Sequence, residues 1–187
     1  MLIGGNAVGE KLLPLVVFKG KNVWDSWVTK DEFPGMTYAA TRNGWMEAQT
    51  FENYFKNHFL KNIPPKRPVV LIYDGHSFHV GISLVERALA ADVVILKLPP
   101  HAIHILQPMD LCVFKSLKLL WDEEIIKWDR KKYGVKLPKA MFSSIISKVW
   151  SLIKPEIIRK GFEKAGIFPF CGDIVPVECY EPEMVQH

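Results

Sequence analysis

Residues 69–98 read VVLIYDGHSFHVGISLVERALAADVVILKL, and this stretch decides the fold class. It opens with the apolar run Val69–Tyr73 and closes with a second run, Val93–Leu98, each typical of a strand that is buried on both faces. The intervening residues Val80–Ala90 are predicted to form a helix. A strand, helix, strand order favours a parallel pair joined by a crossover, with the loops at the strand ends available for a site.

The flanking sequence predicts a hairpin, a short strand and several helices. Residues Met1–Phe18 combine an apolar start, a turn rich in Gly and Asn, and a run of strand-forming residues, which is typical of a hairpin. Tyr38–Thr41 is a candidate short strand. Met46–Leu60 has apolar residues at helical spacing, although Thr50 could cap a shorter helix. Three further helices are predicted: a long amphipathic one after Asp110, one over Met141–Ile153 and one over Ile157–Lys164.

Composition indicates one globular domain. The chain has 187 residues, of which 49% are hydrophobic and 24% charged, so it is neither a disordered tail nor a fibrous repeat. No apolar run approaches the length of a membrane span, and the opening residues have no basic segment of the kind that begins a secretion signal. The three cysteines include no CxxC pair, which favours a reducing compartment. The sequence therefore predicts a soluble intracellular protein.

Charge is unevenly distributed along the chain. The formal net charge is +4, yet residues 115–164 contain thirteen Lys or Arg against six Asp or Glu, a net of +7, and residues 165–187 contain four acids and no Lys or Arg. A basic stretch of this kind could follow a DNA backbone, or it could be a solvated helix face. The candidate backbone contacts are Lys115, Lys118, Lys127, Arg130, Lys131 and Lys132.

Two acidic residues occupy positions where chemistry is often found. Asp74 follows the first buried strand directly, and Asp110 stands at the entrance of the long helix after the second strand. Position alone leaves simpler explanations open. Asp74 and Gly75 are a common turn pair, and Asp110 could be an acid favoured at a helix N-terminus by the helix dipole.

The sequence around these acids resembles the sequences of a known protein family. Residues 71–79 read LIYDGHSFH and residues 98–118 read LPPHAIHILQPMDLCVFKSLK. Both blocks resemble those of the DDE superfamily endonucleases of the pogo, Tigger and jerky type, to which centromere protein B is related. Asp74 matches the family's second catalytic acid and Asp110 the third, with 35 residues between them. Three further segments, GNAVGEKLLPLVVFKGK, GWMEAQTFENYF and IIRKGFEKAGIFPF, extend the resemblance over roughly Gly4–Phe170.

The resemblance implies a fold and a metal chemistry. The implied fold is α/β, with an RNase H-like mixed sheet flanked by helices and a helical C-terminal region, and the implied cofactor is Mg²⁺ or Mn²⁺ held by Asp74 and Asp110. In the family the first catalytic Asp lies on a central strand ahead of the hairpin with which this sequence begins. Asp25 and Asp31 fall after the hairpin and are not credible substitutes. We therefore predict a sheet that lacks its first central strand, weak metal binding, and little or no cleavage.

Four histidines surround the two acids in the sequence. His76, His79, His101 and His104 form two HxxH pairs, but no Cys or acid completes either pair at the spacing usual for zinc. The family match accounts for His79, His101 and His104. These three, together with Gln107, are predicted to orient a phosphate or a metal-bound water.

The sequence as a whole predicts a nucleic-acid-binding, transposase-derived domain. It would comprise residues 1–170, followed by an acidic tail without fixed structure over residues 171–187. The expected partner is DNA and the expected location is the nucleus, with no membrane and no small-molecule substrate, while a homodimer stays open. The alternative is a domesticated scaffold for protein or chromatin association that has no metal chemistry.

Overall fold

A computed structural model of the chain describes residues 1–28, 33–74, 81–99 and 103–174. These residues form a mixed α/β structure in which small sheets are embedded among helices. The strands are β1 (Leu15–Lys19), β2 (Thr37–Thr41), β3 (Val69–Tyr73) and β4 (Val93–Lys97). The helices are α1 (Ala48–Tyr54), α2 (Leu60–Asn62), α3 (Ile82–Ala90), α4 (Ile103–Leu106), α5 (Phe114–Lys131), α6 (Lys139–Leu152) and α7 (Pro155–Lys164).

The strands pair as two parallel couples. β3 and β4 lie in register from Val69 opposite Val93 to Tyr73 opposite Lys97, which confirms the predicted crossover through a helix. β1 pairs with β2 in the same parallel sense. The predicted opening hairpin is also confirmed, because Leu2 forms an antiparallel bridge with Leu15 and Gly5 forms one with Lys11.

A single mixed sheet was predicted, whereas the described residues form two separate sheets. In a parallel pair, alternate residues direct their N–H and C=O groups toward the same neighbour. Val69 and Tyr73 bond toward the β4 side, so Val70 and Ile72 direct theirs the other way and find no partner among the described residues. The opening segment, which is bridged to β1, and β3 line the same cleft.

The prediction that β3 and β4 are buried on both faces was wrong. Val70 is 55% exposed and Val94 51% exposed, whereas Val93, on the opposite face, is only 2% exposed. The buried face packs against α3 through Leu84 and Ala88. The other face has no such cover among the described residues. A continuous apolar run therefore predicts a strand here, but it does not indicate whether one face or both faces of the sheet are buried.

Three hydrophobic clusters lie among the described residues, and two of them hold most of the helices in place. The first joins the sheets through the aromatic residues Phe51, Phe55 and Phe59, which recur every fourth residue. The spacing is helical, but residues 55–59 form a π-helical turn between α1 and α2. The second cluster lies under α5, α6 and α7, and the fully buried Trp150 belongs to it.

Helix boundaries lie close to the predicted ones. The helix predicted over Met46–Leu60 begins at Ala48, where Glu47 and not Thr50 is the N-cap residue. A π-helical turn over Met109–Val113 leads directly into α5, so Asp110 lies in the first turn of that helical segment. The tail predicted over 171–187 lies outside the described residues from 175 onward. None of the helices that the structure describes is long and apolar enough to cross a bilayer.

Candidate functional site

Asp74 and Asp110 reach the same cleft from different elements. Asp74 follows the last residue of β3 and is half-buried, while Asp110 is on the π-helical turn before α5 and is more exposed. Both line a cleft of about 920 Å³ between the opening hairpin and β3. Residues 36 positions apart in the sequence are thereby brought to one cavity.

The walls of this cleft are largely apolar. One wall is the opening segment, including Leu2 and Ile3, and the other is β3, with Phe55 and Phe59 between them. The Tyr54 hydroxyl also lies at the cleft and donates a hydrogen bond to the backbone carbonyl of Leu13, and burial raises the pKa of Tyr54 to about 12. Charges at the cleft are therefore less screened than they would be in open water.

The two carboxylates interact electrostatically. Burial raises the pKa of Asp110 above its ordinary value, and the negative charge of Asp74 raises it further. The same charge adds to the effect of burial in raising the pKa of Tyr73. Repulsion between like charges favours the protonated form of a carboxyl group. A bound cation would relieve that repulsion.

The raised pKa of Asp110 predicts a specific pH dependence of stability. Because its pKa is higher in the folded chain, the folded state binds more protons than the unfolded state between the two pKa values, so stability falls as pH rises through that window. Asp110→Asn removes this loss. We expect Asp110→Asn to be more stable than wild type at about pH 7. At about pH 3, which lies below the ordinary pKa of Asp, we expect no such difference.

Urea unfolding at both pH values measures the effect, and Asp129→Asn, at an exposed acid on α5, controls for the loss of a carboxylate. The same stability difference between wild type and Asp110→Asn at both pH values would contradict the prediction.

Gln107 is the one predicted orienting residue that lies at the cleft within the described part of the chain. Its Oε1 atom is buried and accepts no hydrogen bond from any described residue. A buried acceptor without a donor is uncommon in folded proteins. Gln107 lies three residues before Asp110 in the sequence.

The predicted histidines are not brought to the site within the described residues. His104 is on α4, is exposed, and is not among the residues that line the cleft. His79 and His101 lie outside the described residues, as does His76. Their predicted orienting role therefore stays a prediction.

The groups at the cleft fit a divalent cation in kind but fall short in number. Asp74, Asp110 and Gln107 offer oxygen atoms, which Mg²⁺ prefers as ligands. Within the described residues no group of three or more His, Cys, Asp or Glu side chains could hold a metal. Glu10 also lines the cleft, but its carboxylate accepts a hydrogen bond from the Asn6 amide within the hairpin. Asp74 and Asp110 are thus the two predicted metal-binding acids that line the cleft in the described part of the chain.

The predicted DNA-backbone residues lie along or just after α5. The helix itself carries five basic residues and four acidic ones, a net of +1, so its surface is not uniformly basic. Lys127 is paired with Glu124 at 2.7 Å. The remaining five are exposed: Lys115, Lys118, Arg130, Lys131 and Lys132. Contact with a DNA backbone stays a prediction for all six.

Fold and site together define a class: a mixed α/β domain with two interacting carboxylates at one apolar cleft, a candidate divalent-cation site. The sequence profile of the DDE superfamily endonuclease matches residues 1–162. The chain belongs to this family.

Curated proteins similar to this chain include a transposable element-derived protein and a protein named as a transporter. It is 26% identical over 172 residues to Tigger transposable element-derived protein 4 of Mus musculus, covering 89% of this chain and 32% of that protein. It is 32% identical over 128 residues to the MFS-type transporter clz9 of Cochliobolus lunatus, covering 67% of this chain and 14% of that protein. The chain thus spans a third or less of either relative. No solved structure matches it.

Proposed function

We propose that this chain is a nucleic-acid-binding domain that holds two of the three carboxylates of a DNA strand-cleaving site and is catalytically incomplete by itself. The observation that carries the proposal is the meeting of Asp74 and Asp110 at one cleft, where the charge of one raises the pKa of the other. Family membership supports the same chemistry. The domain would span residues 1–170, act on DNA, and reside in the nucleus.

We also propose that the fold is an RNase H-like sheet from which one strand is missing. On one side of the cleft the backbone groups of Ile3 and Gly5 bond to no described residue, and on the other side those of Val70 and Ile72 do not. An extended strand between them would satisfy both edges and join the two sheets into one mixed sheet. A carboxylate on that strand would be the third metal ligand.

The chemistry at the cleft can be derived from its own residues. When bound, two divalent cations would polarise the phosphodiester and lower the pKa of an attacking water. Asp74, from a strand end, and Asp110, from a helix start, would hold them from different directions. Because protons compete with cations for Asp110, its raised pKa makes binding weaker toward acidic pH. The buried Oε1 of Gln107 would accept a hydrogen bond from a water or hydroxyl beside the acids.

A nicking assay tests the proposed incompleteness. Supercoiled DNA is incubated with the protein and Mg²⁺ or Mn²⁺, with Asp74→Ala and Asp110→Ala as controls. We expect little or no cleavage by any of the three proteins, because losing one ligand weakens metal binding and misplaces the water. Robust cleavage by wild type that both substitutions abolish would show that the site is complete.

Nucleic-acid binding is tested separately, by the salt dependence of duplex DNA affinity. The logarithm of the binding constant should fall linearly with the logarithm of salt concentration, by about 0.9 per phosphate contacted. Lys118→Gln and Lys131→Gln should each reduce that slope by about one. Affinity for DNA that does not change with salt would contradict the proposal.

One observation favours the alternative function, a scaffold for protein or chromatin association. Val70, Val94 and Leu96 form an apolar face on β3 and β4 and are each about half exposed. Contiguous exposed apolar surface often marks a protein interface. A partner that binds this face, combined with no measurable affinity for DNA, would favour the scaffold over the nucleic-acid-binding domain.

A further inference from the structure

A second cluster of unusual side chains lies at the carboxyl ends of β1 and β2. Trp24 is 60% exposed and Trp45 is 74% exposed, although large aromatic side chains are ordinarily well covered. Neither ring forms an aromatic or cation–π contact with a described residue. The carboxylates of the cleft are not part of this cluster, which we call the tryptophan platform: Lys19, Lys21, Trp24, Arg42 and Trp45.

Both tryptophans belong to loops that adjoin the end of β1. A Cβ atom built on Gly44 would lie 3.1 Å from the backbone nitrogen of Lys19, so the turn that carries Trp45 is directly against the end of β1. A Cβ atom built on Gly20, just after β1, would lie 3.6 Å from the ring of Trp27. Trp27 in turn donates its backbone N–H to the carbonyl of Trp24 at 2.8 Å.

Hydrogen bonds hold the backbone beside both tryptophans. The Thr41 hydroxyl donates to the carbonyl of Trp45 at 2.9 Å, and the N–H of Gly44 donates to the same hydroxyl. Near Trp24, the loop is anchored through Trp27, where Lys139 Nζ lies 3.2 Å from the centre of the ring and Ser143 Oγ donates to the carbonyl.

The charge around the rings is positive. Lys19, Lys21 and Arg42 are exposed and form no ion pair with any described residue, and Lys139 adds a fourth basic group beneath them. The same loops carry four acids, Asp25, Asp31, Glu32 and Glu47, and one further base, Lys30. Five basic groups against four acidic ones leave a net of +1.

We propose that the tryptophan platform binds single-stranded DNA by stacking unpaired bases on Trp24 and Trp45 while Lys19, Lys21 and Arg42 contact the phosphates. The inference rests on the proposed nucleic-acid function and assigns it a second contact surface. Flat aromatic rings with basic neighbours recognise the faces of bases, which a duplex hides by its own stacking. The occupant is therefore a strand with unpaired bases, such as DNA that has been opened near a cleavage site.

The test uses the full chain and a fluorescently labelled oligothymidylate of about 10 nucleotides, a length within the usual range of single-strand sites. Binding is followed by fluorescence anisotropy, beside a duplex of the same length. Trp24→Ala and Trp45→Ala should each weaken single-strand binding by roughly five- to a hundredfold, the range found for losing one base stack. Duplex affinity should change much less.

Three controls keep the result specific. Phe170→Ala removes an aromatic ring that is 86% exposed elsewhere on the chain and should leave single-strand affinity unchanged. Trp45→Phe keeps a ring that can stack and should restore most of the affinity lost in Trp45→Ala. Lys21→Gln and Arg42→Gln should each reduce the salt slope of single-strand binding by about 0.7.

Two failures can be told apart. If wild type binds both single-stranded and duplex DNA, and the double variant Trp24→Ala and Trp45→Ala binds the single strand within about twofold of wild type, only the platform is overturned. If wild type binds neither form of DNA, the proposed nucleic-acid function fails as well. Both rings are exposed, so a thermal melt of the double variant should match wild type.

Discussion

Trp150→Ala is expected to lower the free energy of unfolding by about 3–5 kcal/mol, the range found when large aromatic side chains are truncated in protein cores. Trp150 lies on α6 and is fully buried. Its ring is 6.3 Å from that of Phe33, and the ammonium group of Lys11 lies 5.4 Å above it. Because whole domains are stable by only about 5–15 kcal/mol, this one truncation removes a large share of the total.

Lys11 is one reason why Trp150→Ala should lower the free energy of unfolding strongly, because it connects Trp150 to another part of the fold. Its ammonium group donates to the carbonyls of Trp150 at 2.6 Å and Ser151 at 2.8 Å, at the C-terminal end of α6. A cation there is favoured by the helix dipole and satisfies carbonyls that the helix leaves open. The residue thus ties the opening hairpin to α6. Without the indole, the ammonium group of Lys11 loses the aromatic surface over which it lies.

The matched control is Trp150→Phe. The indole Nε1 of Trp150 is buried and has no hydrogen-bond partner among the described residues, so phenylalanine keeps most of the apolar contact and removes an unsatisfied donor. We expect a loss of about 1 kcal/mol or less by urea unfolding at 25 °C, since such volume changes are better tolerated than truncation. A loss as large as that of Trp150→Ala would show that the N–H group has a stabilising partner.

Gly161→Ala is the second substitution with a large expected effect. Gly161 is buried on α7, and a Cβ atom built there would lie 2.3 Å from the carbonyl oxygen of Pro108. Backbone cannot move aside as a flexible side chain can, so α7 must shift. Although alanine is the better helix former, we expect a net destabilisation of about 1–3 kcal/mol, as for other over-packed cores.

This substitution should also disturb the candidate site. Pro108 lies between Gln107, with its buried oxygen, and Asp110, so any shift of α7 away from Pro108 changes the support of both. NMR titration of Asp110 in Gly161→Ala should therefore give a smaller upward shift of its pKa than in wild type. Gly81→Ala is the control, because a Cβ atom there meets nothing within 4 Å. Equal stability of the Gly161 and Gly81 variants would contradict the close approach.

Much of the site could be predicted from residue order alone. Position marked Asp74 and Asp110 as candidates, because strand ends and helix starts are where polar groups can converge. Position alone left simpler explanations open, and the resemblance of the surrounding blocks to the DDE family selected the two acids. The parallel pairing of β3 and β4 followed from the helix between them. The loop at the other sheet is harder to judge from the sequence, because Trp24 and Trp27 lie three residues apart and only Trp27 is packed against other elements.

The reason is that exposure depends on distant neighbours. Trp27 is covered because Lys139 and Phe18 reach it from other elements, whereas Trp24, three residues earlier, has no such neighbour among the described residues. A Gly-containing turn around Trp45 was the only local signal that its ring could project outward. β3 illustrates the same limit, since its apolar run does not tell that Val70 lies on an uncovered face.

The sequence by itself determined most of the strands and helices and which two strands run parallel, because backbone propensities and side-chain periodicity operate within short windows of the chain. Its resemblance to the DDE family selected Asp74 and Asp110 as the candidate acids. Only the tertiary structure decided that the described strands form two separate sheets, that Asp74 raises the pKa of Asp110 at the cleft, and that Trp24 and Trp45 are exposed. Those features depend on how helices far apart in the sequence pack together, which no local window encodes.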